Sequence, residues 1–255
     1  MYIDSHCHLD FPELLSDLDG VLARMACAGV THALCVSVNL QGYPAIRRLA
    51  AAHPNLYASV GVHPDQPEDD ATSVEDLLRE ACDPRVVAIG ETGLDYFRLD
   101  ADAPWQRERF RRHVRAARAC GKPLIVHTRA AAEHTLAILR EEGAETVGGV
   151  MHCFTESLAF AKAAIELGFY ISFSGIVTFR NAADLREVAA AIPLERMLIE
   201  TDSPYLAPVP YRGRTNEPSF VAHVAECIAT VRGVEAGVIA RATSENFRAL
   251  FGVPA

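Results

Sequence analysis

The sequence predicts an α/β protein folded as a closed (β/α)8 barrel, or TIM barrel, with a metal site at the carboxyl-terminal rim of its strands. Apolar, β-branched runs alternate with amphipathic segments along the whole chain, which is typical of repeated βα units. The chain has 255 residues, close to the roughly 250 residues of such barrels. Side chains able to bind metal also follow the predicted strands, whose ends a barrel gathers at one rim.

The eight predicted strands are apolar and rich in branched side chains. They cover residues 2–5, 33–38, 56–62, 86–90, 123–126, 147–151, 169–174 and 197–201. An amphipathic helix is predicted after each of the first seven strands. These helices cover residues 14–28, 45–52, 74–82, 106–120, 131–142, 158–167 and 183–191. Gly29, Gly121 and Gly168 come just after helix ends, where a residue with positive φ often caps a helix.

Two closing helices are predicted at residues 217–231 and 236–251, with Pro218 in the first turn of the former. No linker or charged block divides the chain, so we expect one hydrolase domain over residues 1–255. An open, doubly wound sheet is the alternative fold. It would bind ligands in one crevice at a switch point, whereas a barrel uses the whole ring of strand ends.

Composition narrows the class of protein. The net charge of −9 argues against a broad contact with nucleic acid but permits a few local phosphate contacts. Seven cysteines, far apart and without a CxxC pair, indicate reduced thiols rather than a disulfide framework. Because there is neither a membrane-length apolar run nor a signal-peptide pattern, we expect a cytoplasmic protein without a membrane partner.

The first predicted strand leads into two histidines, His6 and His8. Side chains alternate between the faces of a strand, so His6 and His8 share one face and Cys7 takes the other. Two imidazoles on one strand end can chelate a divalent ion. A motif of two histidines separated by one residue is short and often occurs by chance. Whether it indicates a metal site therefore depends on the rest of the chain.

Further residues able to bind metal come at the ends of five of the other predicted strands. They are His63 after the third strand, Glu91 after the fourth, His127 after the fifth, His152 after the sixth and Asp202 after the eighth. In a barrel these positions meet at one rim, although they are distant along the chain. The recurrence therefore predicts a metal centre more strongly than any single motif does.

Four imidazoles and two carboxylates are enough for two divalent ions if one carboxylate is shared. Glu91 is the predicted bridge, with His6, His8 and Asp202 on one ion and His127 and His152 on the other. Two ions about 3.5 to 4 Å apart can lower the pKa of a shared water toward about 7 and so provide hydroxide. Nitrogen-rich ligation favours Zn²⁺, Mn²⁺, Co²⁺ or Ni²⁺ over Mg²⁺.

Asp202 and Glu91 are the predicted catalytic residues. A carboxylate beside a metal-bound water can take its proton during attack and pass it to the leaving group, and we assign both steps to Asp202. Glu91 would hold the two ions together. Taken alone, Asp202 would be better interpreted as a strand-end side chain that caps the turn after its strand.

Six motifs resemble the TatD family of metal-dependent hydrolases. They are IDSHCHLD at residues 3–10, GVHP at 61–64, GETGLDY at 90–96, IVHTR at 125–129, HCFT at 152–155 and ETDSPY at 200–205. The resemblance implies an amidohydrolase-type barrel with the same six metal ligands. It also implies deoxyribonuclease activity, often from a 3′ end, with Mg²⁺ or another divalent ion. Some relatives are instead associated with removing D-amino acids from tRNA.

Basic and aromatic residues follow several predicted strands and should line the mouth of the barrel. Arg129 and Tyr96, with Phe97 and Arg98 beside it, are suited to phosphate contacts and base stacking. We predict substrate contacts for Tyr96, Arg129 and His63, although loop packing and a structural histidine are the alternatives.

Three functions remain open on the sequence. The leading hypothesis is a phosphodiesterase acting on DNA. The alternative is the same centre attacking a carbonyl, in D-aminoacyl-tRNA or in a small ester or amide. A non-enzymatic metal or partner site is least favoured, because a buried cluster of titratable groups is costly without metal. Helix 106–120 carries six arginines, and the four that recur at helical spacing are interpreted as a solvated outer face: Arg107, Arg111, Arg115 and Arg118.

Overall fold

The computed structural model describes residues 1–68, 70–97 and 103–254, and it confirms the predicted barrel. Its eight strands form one parallel sheet in sequence order, β1 to β8. The strands are β1 Tyr2–Cys7, β2 Val30–Cys35, β3 Leu56–Val60, β4 Val86–Asp95, β5 Leu124–Arg129, β6 Gly149–Met151, β7 Phe169–Phe173 and β8 Met197–Ile199. All their carboxyl ends therefore point to the same rim.

The barrel is closed between β8 and β1 by contacts just beyond the end of β8. Cys7 and Ser203 form a parallel bridge, and the amide of Asp202 donates to the carbonyl of His6 over 2.9 Å. Below them, the buried carboxylate of Asp4 accepts from the amide of Thr201 over 2.9 Å. The first and last strands are thus joined directly beneath the rim.

A helix follows each of the first seven strands, as predicted, and two more helices close the chain. The helices are α1 Pro12–Leu15, α2 Leu18–Cys27, α3 Tyr43–Ala52, α4 Val74–Ala81, α5 Pro104–Cys120, α6 Ala132–Glu141, α7 Leu158–Glu166, α8 Ala183–Ala191, α9 Val221–Arg232 and α10 Ala236–Phe251. The single helix predicted at residues 14–28 is wrong. Asp17 leaves the helical region with φ −132° and divides it, and short polar side chains favour such local breaks.

The predicted end of β4 at Gly90 is also wrong, because the strand continues to Asp95. Residues 92–95 pair with 126–129 of β5, so Glu91 and His127 lie within strands rather than after them. Gly93 permits this close pairing. It has a φ of 133°, and a Cβ there would lie 1.9 Å from the carbonyl oxygen of His127.

Apolar packing fills the end of the barrel opposite the rim. Phe247 and Phe251 of α10 join a buried cluster with Ile3, Tyr57 and Val87, which lie near the starts of their strands. A larger core lies between the strands and the surrounding helices. Polar groups are therefore concentrated at the carboxyl-terminal rim. No helix in the described ranges is both long and apolar enough to cross a bilayer.

Helix α5 has a buried polar face that holds the loop carrying His63. The side-chain amide of Gln106 donates to the carbonyl of Pro64 over 3.0 Å, and the guanidinium of Arg109 donates to the carbonyl of Gln66 over 2.9 Å. His113 accepts from the amide of Val62 over 3.0 Å. The outer arginines behave as predicted: Arg111 and Arg115, for example, form ion pairs with acidic side chains of the neighbouring helix.

His113 should make the protein less stable in acid. Burial lowers the pKa of His113 to about 4, against 6.5 in a model compound. Its Nε2 accepts from the Val62 N–H, so a proton on this nitrogen would also break that hydrogen bond. The neutral ring therefore stabilises the fold fully above pH 6.5, and this contribution is lost as the pH falls toward 4. The difference between the two pKa values corresponds to about 3 kcal/mol.

We expect His113→Gln to reduce the loss of unfolding free energy between pH 6.5 and 4 by about this amount. The measurement is urea unfolding of chelator-treated protein across that pH range. His53→Gln, at the carboxyl end of α3, is the matched control and should keep the slope of the parent. If His113→Gln also kept the parental slope, this imidazole would not be the group that titrates.

Candidate metal centre

The structure brings the six predicted metal ligands together at the rim, with Glu91 at the centre. The Glu91 side chain is only 3% exposed. Its Oε2 lies 3.3 Å from Nε2 of His6. Its Oε1 lies 3.2 Å from Nδ1 of His127 and 2.7 Å from Nε2 of His152. The two oxygens of one carboxylate therefore face separate groups of imidazoles.

Asp202 lies on the His6 and His8 side of this centre. Its Oδ1 is 3.7 Å from Nε2 of His6 and 3.5 Å from Nε2 of His8. Asp202 has a φ of 57° and follows the end of β8. Its backbone bond to His6, described above, ties this conformation to β1. The carboxylate consequently faces β1 across the closure of the barrel.

His63, predicted to contact substrate, also reaches the cluster. Its Nε2 lies 3.2 Å from Oε1 of Glu91, and its Nδ1 lies 2.6 Å from Oδ1 of Asp65. Among the residues that the structure describes, three sets of side chains have ligand atoms within 4.8 Å of one another. The sets are His6, His8 and Glu91; His6, His152 and Asp202; and His63, Glu91 and His127.

Electrostatics in this cluster favour binding of cations. Burial raises the pKa of Glu91, but His152, His63 and hydrogen bonds from the imidazoles lower it well below its usual range. Burial lowers the pKa of His152, but Glu91 and Glu200 raise it well above its usual range. Protons thus occupy places where metal ions would bind, so we expect metal affinity to rise with pH.

The buried imidazole of His6 shows whether the residues of this cluster are suited to binding a metal ion. Neither of its ring nitrogens has a hydrogen bond of normal geometry within the described residues, and burial together with His152 lowers its pKa. His6 is thus a neutral, buried imidazole that faces the carboxylates of Glu91 and Asp202 without a hydrogen bond of normal geometry to either, and histidine binds a divalent ion in its neutral form. The residues present therefore fit a divalent-metal centre.

Three carboxylates that the sequence analysis missed contact the imidazoles at the ring nitrogen that does not face Glu91. Glu200, fully buried, places Oε1 3.3 Å from Nδ1 of His152. Asp95 places Oδ2 3.3 Å from Nε2 of His127, and Asp65 holds His63. Such contacts orient a metal-binding imidazole. The available signal was proximity in sequence, since each carboxylate lies within four residues of Glu91, Asp202 or His63.

A cavity of about 670 Å³ opens above the metal centre. Glu91, Asp202, His63 and Arg129 all line it. Tyr96 lies elsewhere: its hydroxyl is 2.9 Å from Nδ1 of His134 on α6. Arg98 lies outside the described residues. The cavity is large enough for a small organic ligand, for which pockets of about 300 to 1,000 Å³ are usual.

Fold and site together define a metal-dependent hydrolase. The family model described as "TatD related DNase" matches residues 3–252 of the chain. The chain therefore belongs to the TatD family of metal-dependent hydrolases, which confirms the resemblance in its motifs.

Individual relatives agree with this membership. The chain is 50% identical to the uncharacterized metal-dependent hydrolase YcfH of Escherichia coli K12, over 99% of this chain and 96% of the relative. It is 34% identical to the 3′-5′ ssDNA/RNA exonuclease TatD of Escherichia fergusonii, over 98% of each chain. The crystal structure of YJJV, a TatD homologue from Escherichia coli K12, matches with a TM-score of 0.93 and 32% identity, over 99% of this chain and 98% of that one.

Proposed function

We propose that this protein hydrolyses phosphodiester bonds of DNA and releases nucleotides from a 3′ end, using two divalent ions. Each cleavage consumes one water. The water oxygen forms a bond to phosphorus, the P–O bond to the leaving group breaks, and a proton reaches the leaving oxygen. The 34% identical relative named as a 3′-5′ ssDNA/RNA exonuclease supports this reaction.

The observation that carries the two-ion proposal is the position of the Glu91 carboxylate. One oxygen faces His6, and the other faces His127, His152 and His63. A carboxylate that bridges two ions needs its two oxygens directed at separate ligand groups in this way. His6, His8 and Asp202 would hold one ion, and His127 and His152 the other. His63 shares the second side and would contact the substrate phosphate.

Divalent ions, when bound, act as Lewis acids and lower the pKa of a coordinated water. The chain supplies the proton transfer. Burial raises the pKa of Asp202, but His8, His6 and His152 lower it below its usual range, so the carboxylate is ionised at neutral pH. Asp202 also lines the cavity. It would therefore accept a proton from the attacking water and return it to the leaving oxygen.

Arg129 supports a phosphodiester substrate over a small neutral ester. Arg129 lines the cavity, and its guanidinium would pair with a phosphate outside the bond being cleaved. The net charge of −9 leaves little attraction for DNA elsewhere on the surface. Phosphate contacts would therefore be few and confined to the mouth of the barrel.

The function is tested with purified protein reloaded with Mn²⁺ or Mg²⁺ after chelation. We expect release of nucleotides from single-stranded and 3′-recessed DNA, and no release in chelator. D-aminoacyl-tRNA and small esters are assayed in parallel. Protein that binds metal, leaves every DNA form intact and hydrolyses one of these carbonyl substrates would contradict the nuclease proposal and support the alternative.

A further inference from the structure

Two exposed aromatic side chains lie beside the cavity. Phe97 is 67% exposed and Tyr205 is 53% exposed, and they are the only exposed aromatic residues in the described ranges of the chain. Tyr205 lines the cavity itself, whereas Phe97 packs on Arg129, which lines it. Leaving such large rings in water is unfavourable, because aromatic side chains gain free energy when they are covered. Their position therefore points to a ligand that covers them.

The two rings stand on opposite sides of the metal centre. Phe97 follows β4, and Tyr205 comes after β8. The sheet runs in order from β1 to β8 and closes on itself, so β4 and β8 face each other across the barrel. A ligand covering both rings must therefore extend across the metal centre.

Phe97 is held in place by contacts to the metal centre. The Asp95 carboxylate accepts from the amide of Phe97 over 2.9 Å through Oδ1, and its Oδ2 lies 3.3 Å from His127. The guanidinium carbon of Arg129 lies 3.8 Å from the centre of the Phe97 ring. Arg129 in turn accepts a backbone hydrogen bond from Tyr96 over 2.9 Å. The Phe97 ring is therefore exposed, while the backbone of Phe97 is fixed relative to His127.

Tyr205 is anchored in the same manner on the other side. Its amide donates to the carbonyl of Asp202 over 3.0 Å, and its carbonyl accepts from the side chain of Asn216 over 2.6 Å. Its ring stands edge-on to Phe11, with centroids 6.2 Å apart. Phe11 stacks on the ring of His8 at 4.8 Å. Tyr205 is thus positioned relative to Asp202 and His8 on the other side of Glu91.

We propose, resting on the proposed nuclease function, that Phe97 and Tyr205 stack with the two nucleobases on either side of the cleaved phosphodiester. Two bases held across the centre would place the phosphate between them over the metal ligands. Stacking on a protein ring needs a base with a free face, so the site accepts unpaired nucleotides, including those of a recessed 3′ end that has frayed, and rejects the interior of a duplex. The two rings are therefore specificity determinants of the reaction.

Abasic substrates test this assignment directly. We would measure kcat/KM on a short single-stranded oligonucleotide and on two versions lacking the base on one or the other side of the cleaved bond. Phe97→Leu and Tyr205→Leu keep an apolar side chain without the flat ring. Tyr170→Leu is the matched control, since Tyr170 also packs on an arginine, Arg196 at 5.1 Å, but at the start of β7 and away from the rim.

Each ring substitution should lower kcat/KM on the intact oligonucleotide about ten- to a hundredfold, which is the usual effect of losing one base–aromatic stack. Removing the base that faces the altered ring should cost that variant little more, while removing the other base should cost it as much as it costs the parent. Tyr170→Leu should match the parent on all three substrates.

If both ring variants responded to each missing base as strongly as the parent does, the stacking proposal would be wrong, while cleavage by the parent would still support the nuclease function. A parent protein that binds metal and cleaves none of the oligonucleotides would overturn both proposals. Retention of the parental kcat/KM by Phe97→Leu and Tyr205→Leu on the intact substrate would also overturn the stacking proposal.

Discussion

Replacement of Glu91 by Gln is expected to abolish turnover and to reduce the occupancy of both metal ions. Both oxygens of Glu91 face imidazoles within 3.3 Å. An amide removes the negative charge from the centre and presents an NH₂ group to one of the two ligand sets. We expect kcat/KM to fall about a thousandfold or more. Metal analysis of the purified variant would show a deficit of both ions relative to the parent.

Glu217→Gln is the matched control for this prediction. Glu217 is also a buried glutamate, but it pairs with Nε of Arg24 over 2.8 Å, outside the metal cluster. This variant should retain the metal content and the turnover of the parent. Circular dichroism would verify that both variants fold. If Glu91→Gln lost one ion and kept the other at the parental level, Glu91 would not be the shared ligand.

Replacement of Asp202 by Asn should separate metal binding from proton transfer. The amide oxygen can still face the ion on the His6 and His8 side, and the backbone bond to His6 is unaffected. An amide cannot accept the proton of the attacking water. We therefore expect most of the metal and the thermal stability to remain, while kcat falls about a hundred- to ten-thousandfold.

The measurement is a comparison of kcat, melting temperature and metal content for Asp202→Asn and Asp83→Asn. Asp83 pairs with Arg47 over 2.8 Å on the outside of the barrel and serves as the control. A kcat close to the parental value in Asp202→Asn would show that another group takes the proton. Loss of all metal with kcat would indicate that Asp202 acts only as a ligand.

The barrel and the set of rim residues could be predicted because both follow from periodic patterns. Alternation of apolar strands and amphipathic helices is a local property of the sequence. Because the carboxyl ends of all strands meet at one rim of a barrel, residues near those ends, such as His6, Glu91 and Asp202, are brought together although they are distant in sequence. The chain closure, the strand order and the close approach of these side chains agree with that expectation.

The contacts behind the imidazoles could not be predicted, because they depend on tertiary geometry. Nothing local distinguishes Glu200 or Asp95 from a strand-end carboxylate capping a turn. The extension of β4 past Gly90 depends on pairing with β5, which overrides the usual reading of glycine as a strand end. The position of the Tyr96 hydroxyl beside His134, outside the cavity lining, likewise depends on contacts between distant parts of the chain.

Diffraction from crystals loaded with Mn²⁺, recorded where manganese scatters anomalously, tests the central claim most directly. We predict two anomalous peaks at the rim, about 3.5 to 4 Å apart, each within bonding distance of a different Glu91 oxygen. One peak should also contact His6, His8 and Asp202, and the other His127 and His152. A single peak, or two peaks that do not share Glu91, would contradict the account.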